Sequence, residues 1–159
     1  DKIEGVTASG TVQMPSGSIV QAVSFERVGS NSSLSALAVL TSSSFVDVMS
    51  KSITTKLASS KIFVSVDIVA YDGSNNMRVK TKFLRDSTEI NGDIYALYGP
   101  SSIMYNYVFS MLDSPSASAG TTLTYKLQAA VTGGSTTTIG YGDTGGGSNA
   151  NITLMEIAQ

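Results

Sequence analysis

Apolar residues alternate with other residues along much of the chain, and this period of two most limits what the chain can fold into. The clearest case is residues 61–71, where one set of alternate positions is wholly apolar. Successive side chains of a β-strand point to opposite faces, whereas an α-helix repeats every 3.6 residues or so, about one turn. The segment therefore predicts a β-strand with one apolar face. That face consists of Ile62, Val64, Val66, Ile68 and Ala70.

Similar segments recur along the chain, and most are separated by glycine, serine, asparagine or proline. Only residues 33–40 form a weak helical candidate. About eight to ten short strands with turn signals between them predict an all-β fold, an antiparallel β-sandwich of jelly-roll type. We expect residues 1–18 to form an extended N-terminal arm and residues 19–159 a single β-sandwich domain. The other predicted strands are residues 17–25, 44–49, 52–57, 78–86, 102–112, 121–131, 136–141 and 151–158.

The turn-forming residues 72–76 suggest that strand 61–71 folds back on strand 78–86 as a hairpin. A turn centred near Gly73 would set Asp67 beside Lys80. A charge in the middle of a largely apolar strand is costly unless it is paired. The sequence therefore predicts a structural ion pair between Asp67 and Lys80, with Lys82 as the alternative partner.

The chain has no histidine and no cysteine, which removes most familiar catalytic designs. Triads based on histidine, thiolate or imidazole metal sites and disulfides all need one of these residues. Carboxylate chemistry stays possible, since there are 12 aspartate and glutamate residues, but their spacing singles out no pair. We expect a protein that is not an enzyme and has no cofactor and no metal.

The net charge is −2, and the ten lysine and arginine residues are scattered, which does not favour a nucleic-acid partner. The longest nearly apolar run, residues 34–40, is much shorter than the roughly 20 residues of a membrane-spanning helix, so no membrane insertion is expected. Serine and threonine together supply 42 of the 159 residues, and only 14% are charged. Such a composition fits a protein that buries much of its surface between subunits.

Two groups of aromatic residues are candidate contact sites. Tyr95 and Tyr98 lie in the turn-rich segment 91–100, where they could bind a receptor, stack on a sugar, or cap the sandwich edge against a neighbouring subunit. Residues 102–112 are apolar on both faces, which a single chain would struggle to cover. We therefore predict a subunit interface there, with Tyr105, Tyr107 and Phe109 as its residues.

Several short phrases of the sequence resemble a C-terminal domain of bacteriophage virion proteins, especially tail-fibre-like ones. The phrases are residues 15–21 (PSGSIVQ), 41–48 (TSSSFVDV), 59–64 (SSKIFV), 112–115 (LDSP) and 152–157 (ITLMEI). The order of the predicted strands also resembles the trimeric jelly rolls of complement C1q and tumour necrosis factor. The resemblance implies a homotrimer at the exposed surface of a virion, but carries no catalytic or metal motif.

Three functions are compatible with these patterns. The first is a non-enzymatic head domain of a tail fibre or similar appendage. It would be attached to other virion proteins through its N-terminal arm and would display loops to a host surface glycan or protein. The second is a capsid decoration or tail structural protein without a receptor role. The third is a carboxylate-dependent glycan depolymerase, which the lack of an evident carboxylate pair disfavours.

Overall fold

The computed structural model describes residues 14–27, 37–72, 77–99, 103–132, 136–140 and 150–159, and these residues form eleven β-strands. The described part of the chain holds no helix that could cross a bilayer. The strands are β1 (Ile19–Arg27), β2 (Ala38–Leu40), β3 (Val46–Thr54), β4 (Lys61–Asp72), β5 (Met77–Arg85), β6 (Thr88–Glu89), β7 (Ile94–Gly99), β8 (Ile103–Asp113), β9 (Thr122–Val131), β10 (Thr137–Ile139) and β11 (Ala150–Ile157).

The first sheet, sheet 1, is built around β4, its longest strand. β8 pairs with one edge of β4 along almost its whole length. The other edge is shared by β11 and β10, which pair in turn with β1 and β2. All of these pairings are antiparallel. Among the described strands, β8 pairs only with β4, so it forms one edge of the sheet.

The second sheet, sheet 2, has the order β3-β9-β5-β6, and β7 also pairs with β5. Its pairings are antiparallel as well. The sheet packs on sheet 1 through alternate apolar positions, as the period of two requires. The five apolar residues predicted on one face of β4 are all fully buried. They meet buried residues of sheet 2 in one core, among them Val79, Phe83, Leu123, Leu127 and Ala129.

The predicted all-β antiparallel sandwich is confirmed, but the predicted hairpin is wrong. β4 and β5 belong to different sheets, and the chain crosses from one to the other between them. Both strands show the period of two, and turn-forming residues separate them, so their local patterns fit a hairpin as well as they fit strands of two different sheets. Each strand finds other partners instead, β4 with β8 and β11, and β5 with β9.

Two smaller expectations also change, and a third, the N-terminal arm, lies mostly outside the described residues. The predicted strands 44–49 and 52–57 are one strand, β3, whose register against β9 shifts between Asp47 and Met49. The end of the weak helical candidate 33–40 is strand β2, and residues 33–36 lie outside the described part. Most of the predicted arm, residues 1–13, also lies outside it. The following residues are tied to the end of the domain by a 2.9 Å hydrogen bond from Gly17 N to Ala158 O.

Candidate functional site

The sandwich has two outer faces, and they differ in chemistry. On the outer face of sheet 1, here the apolar face, β8 alone contributes three large apolar side chains that water reaches. Met104, Val108 and Leu112 alternate with inward-facing residues of β8 and are 41%, 67% and 50% exposed. Residues directly opposite in an antiparallel pair lie on the same face. The register therefore adds the residues of β4 and β11 that share this face: Lys61, Phe63, Ser65, Asp67, Val69, Tyr71, Asn151, Thr153, Met155 and Ile157.

Asp67 lies near the middle of the apolar face, between Val108 of β8 and Asn151 of β11. Its side-chain atom Oδ1 is enclosed and has no hydrogen-bond partner. The predicted pair with Lys80 is therefore corrected, because Lys80 lies in the other sheet and its ammonium is 3.4 Å from Asp93 Oδ2. A carboxylate without a donor costs free energy when it is shielded from water.

The outer face of sheet 2, here the charged face, carries a row of lysines that are paired with acids. Besides Lys80, the Lys82 ammonium lies 3.3 Å from Glu89 Oε2 and 4.4 Å from the centre of the Phe45 ring. Lys126 Nζ lies 2.7 Å from Asp47 Oδ2. The hydrogen bonds from Lys126 and Gln128 are the main reason that the pKa of Asp47 lies below its ordinary value. These charges stabilise each other across strands within one chain.

Tyr95 and Tyr98 lie on strand β7 rather than in the loop that the sequence suggested. The backbone register sets Tyr95 opposite Lys80 and Tyr98 opposite Arg78, with a register shift between Val79 and Lys80. Their side chains lie outside the described part of the structure. The two tyrosines therefore belong to an edge strand that runs alongside the lysine row of the charged face.

Tyr105, Tyr107 and Phe109 face the interior of the sandwich. The Tyr107 hydroxyl is 3.3 Å from Thr81 Oγ1, and the Phe109 ring stacks on Phe83 with ring centres 4.8 Å apart. Tyr105 packs against the same core. Their contact with other subunits stays a prediction, but these aromatic residues already have partners within their own chain. The outward residues of β8 are Met104, Asn106, Val108, Ser110 and Leu112.

Inside the sandwich, Asp113 of β8 joins the two sheets at one end. Arg85 Nη1 of β5 donates to both carboxylate oxygens at 2.8 and 2.7 Å, and the Tyr125 hydroxyl of β9 donates to Oδ2 at 2.6 Å. Burial, followed by the hydrogen bond to Asp113, raises the pKa of Tyr125 far above its usual range. Burial lowers the pKa of Arg85, but its bonds to Asp113 outweigh this and raise it overall. Both groups therefore keep their protons, and the arrangement is a fixed structural brace.

Glu156 of β11 is fully buried and is held by a complete set of donors. Lys56 N donates to both of its oxygens at 2.9 Å and Leu57 N donates to Oε1 at 2.9 Å. Ser60 Oγ and Gln21 Nε2 donate at 2.8 and 2.6 Å. Burial raises the pKa of Glu156, but these hydrogen bonds outweigh it, so the pKa lies below its ordinary value. The carboxylate thus fastens the connection between β3 and β4 to the last strand.

The hydrogen bonds of Asp113 and Glu156 hold strands together and are structural contacts. Glu156 and Asp113 were not singled out from the sequence. A usable signal was present for Glu156, because it continues the alternation of Ile152 and Leu154 on the inward face of β11. Among the residues that the structure describes, no group of three or more aspartate or glutamate side chains is placed to hold a metal ion.

No protein-family model matches the chain, and neither does any curated protein. Among solved structures, a chain of the T13 particle of infectious bursal disease virus matches all of this chain with a TM-score of 0.50 and 8% identity. A VP2 subviral particle of that virus matches 88% of this chain, and 42% of its own, with a TM-score of 0.48 and 10% identity. The sugar-binding EclA C-terminal domain matches 96% of this chain, and 88% of its own, with a TM-score of 0.45 and 12% identity. The chain spans 40% of the length of the T13 particle chain and shares its β-sandwich fold.

Proposed function

We propose that this chain is the head domain of a bacteriophage virion appendage, such as a tail fibre. In this proposal it is not an enzyme. It associates with its own copies through the apolar face, as the homotrimer that the sequence resemblance implies, and presents other surfaces to a host cell. The N-terminal arm joins it to other virion proteins.

One observation carries the proposal, the contrast between the two outer faces. An isolated chain would leave Met104, Val108 and Leu112 in water on a face that has few charges. Exposed apolar residues that form a patch mark contact surfaces more often than single ones do. The charged face needs no partner, because its lysines are paired within the chain. The fold shared with a viral particle chain agrees with a virion role.

Host recognition is assigned to the edge of the charged face at β7. Tyrosine combines apolar area with a hydroxyl group, which suits contact with a glycan or a protein. Tyr95 and Tyr98 occupy register positions opposite Lys80 and Arg78, so this edge joins tyrosines to cationic residues along one strand pair. The proposed ligand is a host surface glycan or protein.

Competition for phage adsorption tests the proposal. The purified chain is added to host cells before the phage, and the fraction of adsorbed phage is measured against protein concentration. We expect the wild-type chain to block adsorption, and we expect the double variant Tyr95→Ala, Tyr98→Ala to need at least about tenfold more protein. The variant Phe25→Ala, which truncates an exposed aromatic residue of β1, is the matched control and should block like the wild type.

Two outcomes would replace the proposal with the alternatives drawn from the sequence. If the chain does not block adsorption, and electron microscopy finds it in capsid or tail lattice contacts, it is a decoration or structural protein. If incubation with host polysaccharide releases reducing ends, the chain is a depolymerase. Failure to find the chain in any particle would overturn a virion role altogether.

A further inference from the structure

Two charged residues of the apolar face have no partner within the described part of the chain. Asp67 Oδ1 is enclosed between neighbouring strands without a donor. Lys61, at the start of β4, is half-buried beside Ile157 and forms no salt bridge with any described residue. Both residues belong to β4, and both lie on its outward side, since the residues between them alternate regularly.

Asp67 and Lys61 cannot reach each other within one chain. They are six residues apart on the same strand, and a strand rises about 3.3 Å per residue, so their Cα atoms are about 20 Å apart. A lysine side chain spans only a fraction of that distance. The apolar face therefore presents an acid and a base that are complementary to each other but are held apart.

We infer that the apolar face binds a second copy of this chain, and that the Lys61 ammonium of one copy pairs with the Asp67 carboxylate of the next. This inference rests on the self-association in the proposed function and names the contact that sets its register. A second copy is the occupant because the face itself supplies both members of the pair. In a closed ring, the Lys61 of each copy pairs with the Asp67 of one neighbour, and its own Asp67 pairs with the Lys61 of the other neighbour. Every copy then makes the same contacts.

The other charged residue described on this face, Glu26, is not expected to take the place of Asp67 in the pair with Lys61. Glu26 of β1, opposite Asn151, is exposed at the margin of the face, where water solvates it. Asp67 is in the opposite situation, because it lies beside the most exposed apolar residue of β8, Val108. Packing another copy onto Val108 removes more water from Asp67 and makes a cationic partner necessary. The pair therefore selects one arrangement of the copies among those that apolar contact alone would allow.

A charge-swap experiment tests the pair. The dissociation constant of the purified chain is measured by sedimentation equilibrium for the wild type, Lys61→Asp, Asp67→Lys and the double variant that exchanges the two charges. We expect each single change to raise the dissociation constant at least about tenfold, since it sets like charges against each other. The double variant should return to within about threefold of the wild type, because it restores the attraction.

Two further variants complete the experiment, one as a substitute for Asp67→Lys and one as a control. Asp67→Asn removes the charge with little change of shape and serves if Asp67→Lys does not fold, as judged by circular dichroism. It should weaken association by less than the reversal does. Glu26→Lys makes the same change of charge elsewhere on the face and should leave the dissociation constant within about threefold of the wild type.

Three results would overturn the inference. They are a wild-type chain that stays monomeric, a double variant that associates no better than the weaker single variant, and a Glu26→Lys variant as impaired as Asp67→Lys. Restored association in the double variant stands even if the chain does not block phage adsorption. The pair and the host-recognition role can therefore fail separately.

Discussion

The two outer faces of the sandwich treat charge in different ways. On the charged face, Lys80, Lys82 and Lys126 each lie within salt-bridge distance of an acid. On the apolar face, Asp67 lies opposite the exposed Val108 and has an enclosed oxygen without a donor. On a face that stays in water, each charge can be paired with an opposite charge of the same chain. This unpaired charge on the apolar face is the basis of our proposal that another copy binds there.

The largest effect on stability is expected from the core between the two sheets. Phe109→Ala removes the ring that stacks on Phe83, and we expect the free energy of unfolding to fall by about 2–4 kcal/mol. Chemical denaturation at one fixed protein concentration measures the change. Ser110→Ala, an outward neighbour on β8, is the control and should change stability by less than about 0.5 kcal/mol. Dissociation without a loss of stability would return Phe109 to the subunit contact that the sequence suggested.

The next effect separates the two faces directly. Val108→Asp places a charge at the most exposed apolar position of β8, and we expect the dissociation constant of the assembly to rise about 100-fold. Ser50→Asp adds the same charge on the charged face, opposite Lys126, and should leave association unchanged. Light scattering coupled to size-exclusion chromatography compares both with the wild type. Equal dissociation of the two variants would abolish the distinction between the faces.

A smaller effect concerns the carboxylates of the two neighbouring strands β4 and β11. Glu156 has its donors, and its pKa in the folded protein lies below the ordinary 4.5. Its contribution to stability is therefore present above pH 4.5 and is lost as the pH falls through the lowered folded-state pKa. We expect Glu156→Gln to lose about 1–3 kcal/mol near neutral pH and to lack that part of the acid sensitivity. Denaturation curves between neutral and acid pH measure this.

The comparison variant for Glu156→Gln is Asp67→Asn. Asp67 lacks the donors that Glu156 has, so removal of its charge should not lower the free energy of unfolding of the separate chain. A loss as large as that of Glu156→Gln would show that Asp67 has a stabilising partner in its own chain. Asp67 would then not need a partner from another copy.

The smallest effect is expected on the charged face. Lys82→Ala removes the salt bridge to Glu89 and the contact with the Phe45 ring. Because these groups are partly in water, we expect a loss of about 1 kcal/mol or less, and less still at high salt. Thermal unfolding at low and high salt measures it. A loss well above 2 kcal/mol would mean that the fold depends on this row as on its core.

The alternation in the sequence predicted the inward residues of β4 correctly, and also the two-sided apolar character of β8. It could not decide which side of β8 faces the core. Phe109 and Val108 are both apolar neighbours, and only the position of sheet 2 places Phe109 against Phe83 and leaves Val108 in water. The Asp67 pair failed for a related reason, because it depended on which strand lies next to β4.

What the sequence determined by itself is therefore local. A period of two makes strands, and the absence of histidine and cysteine removes the chemistry that needs them. The tertiary structure decided the partners of each strand, the donors around Glu156 and the isolation of Asp67 and Lys61. The physical reason is that side-chain alternation is a property of one strand, whereas pairing and burial depend on contacts between residues far apart in the chain.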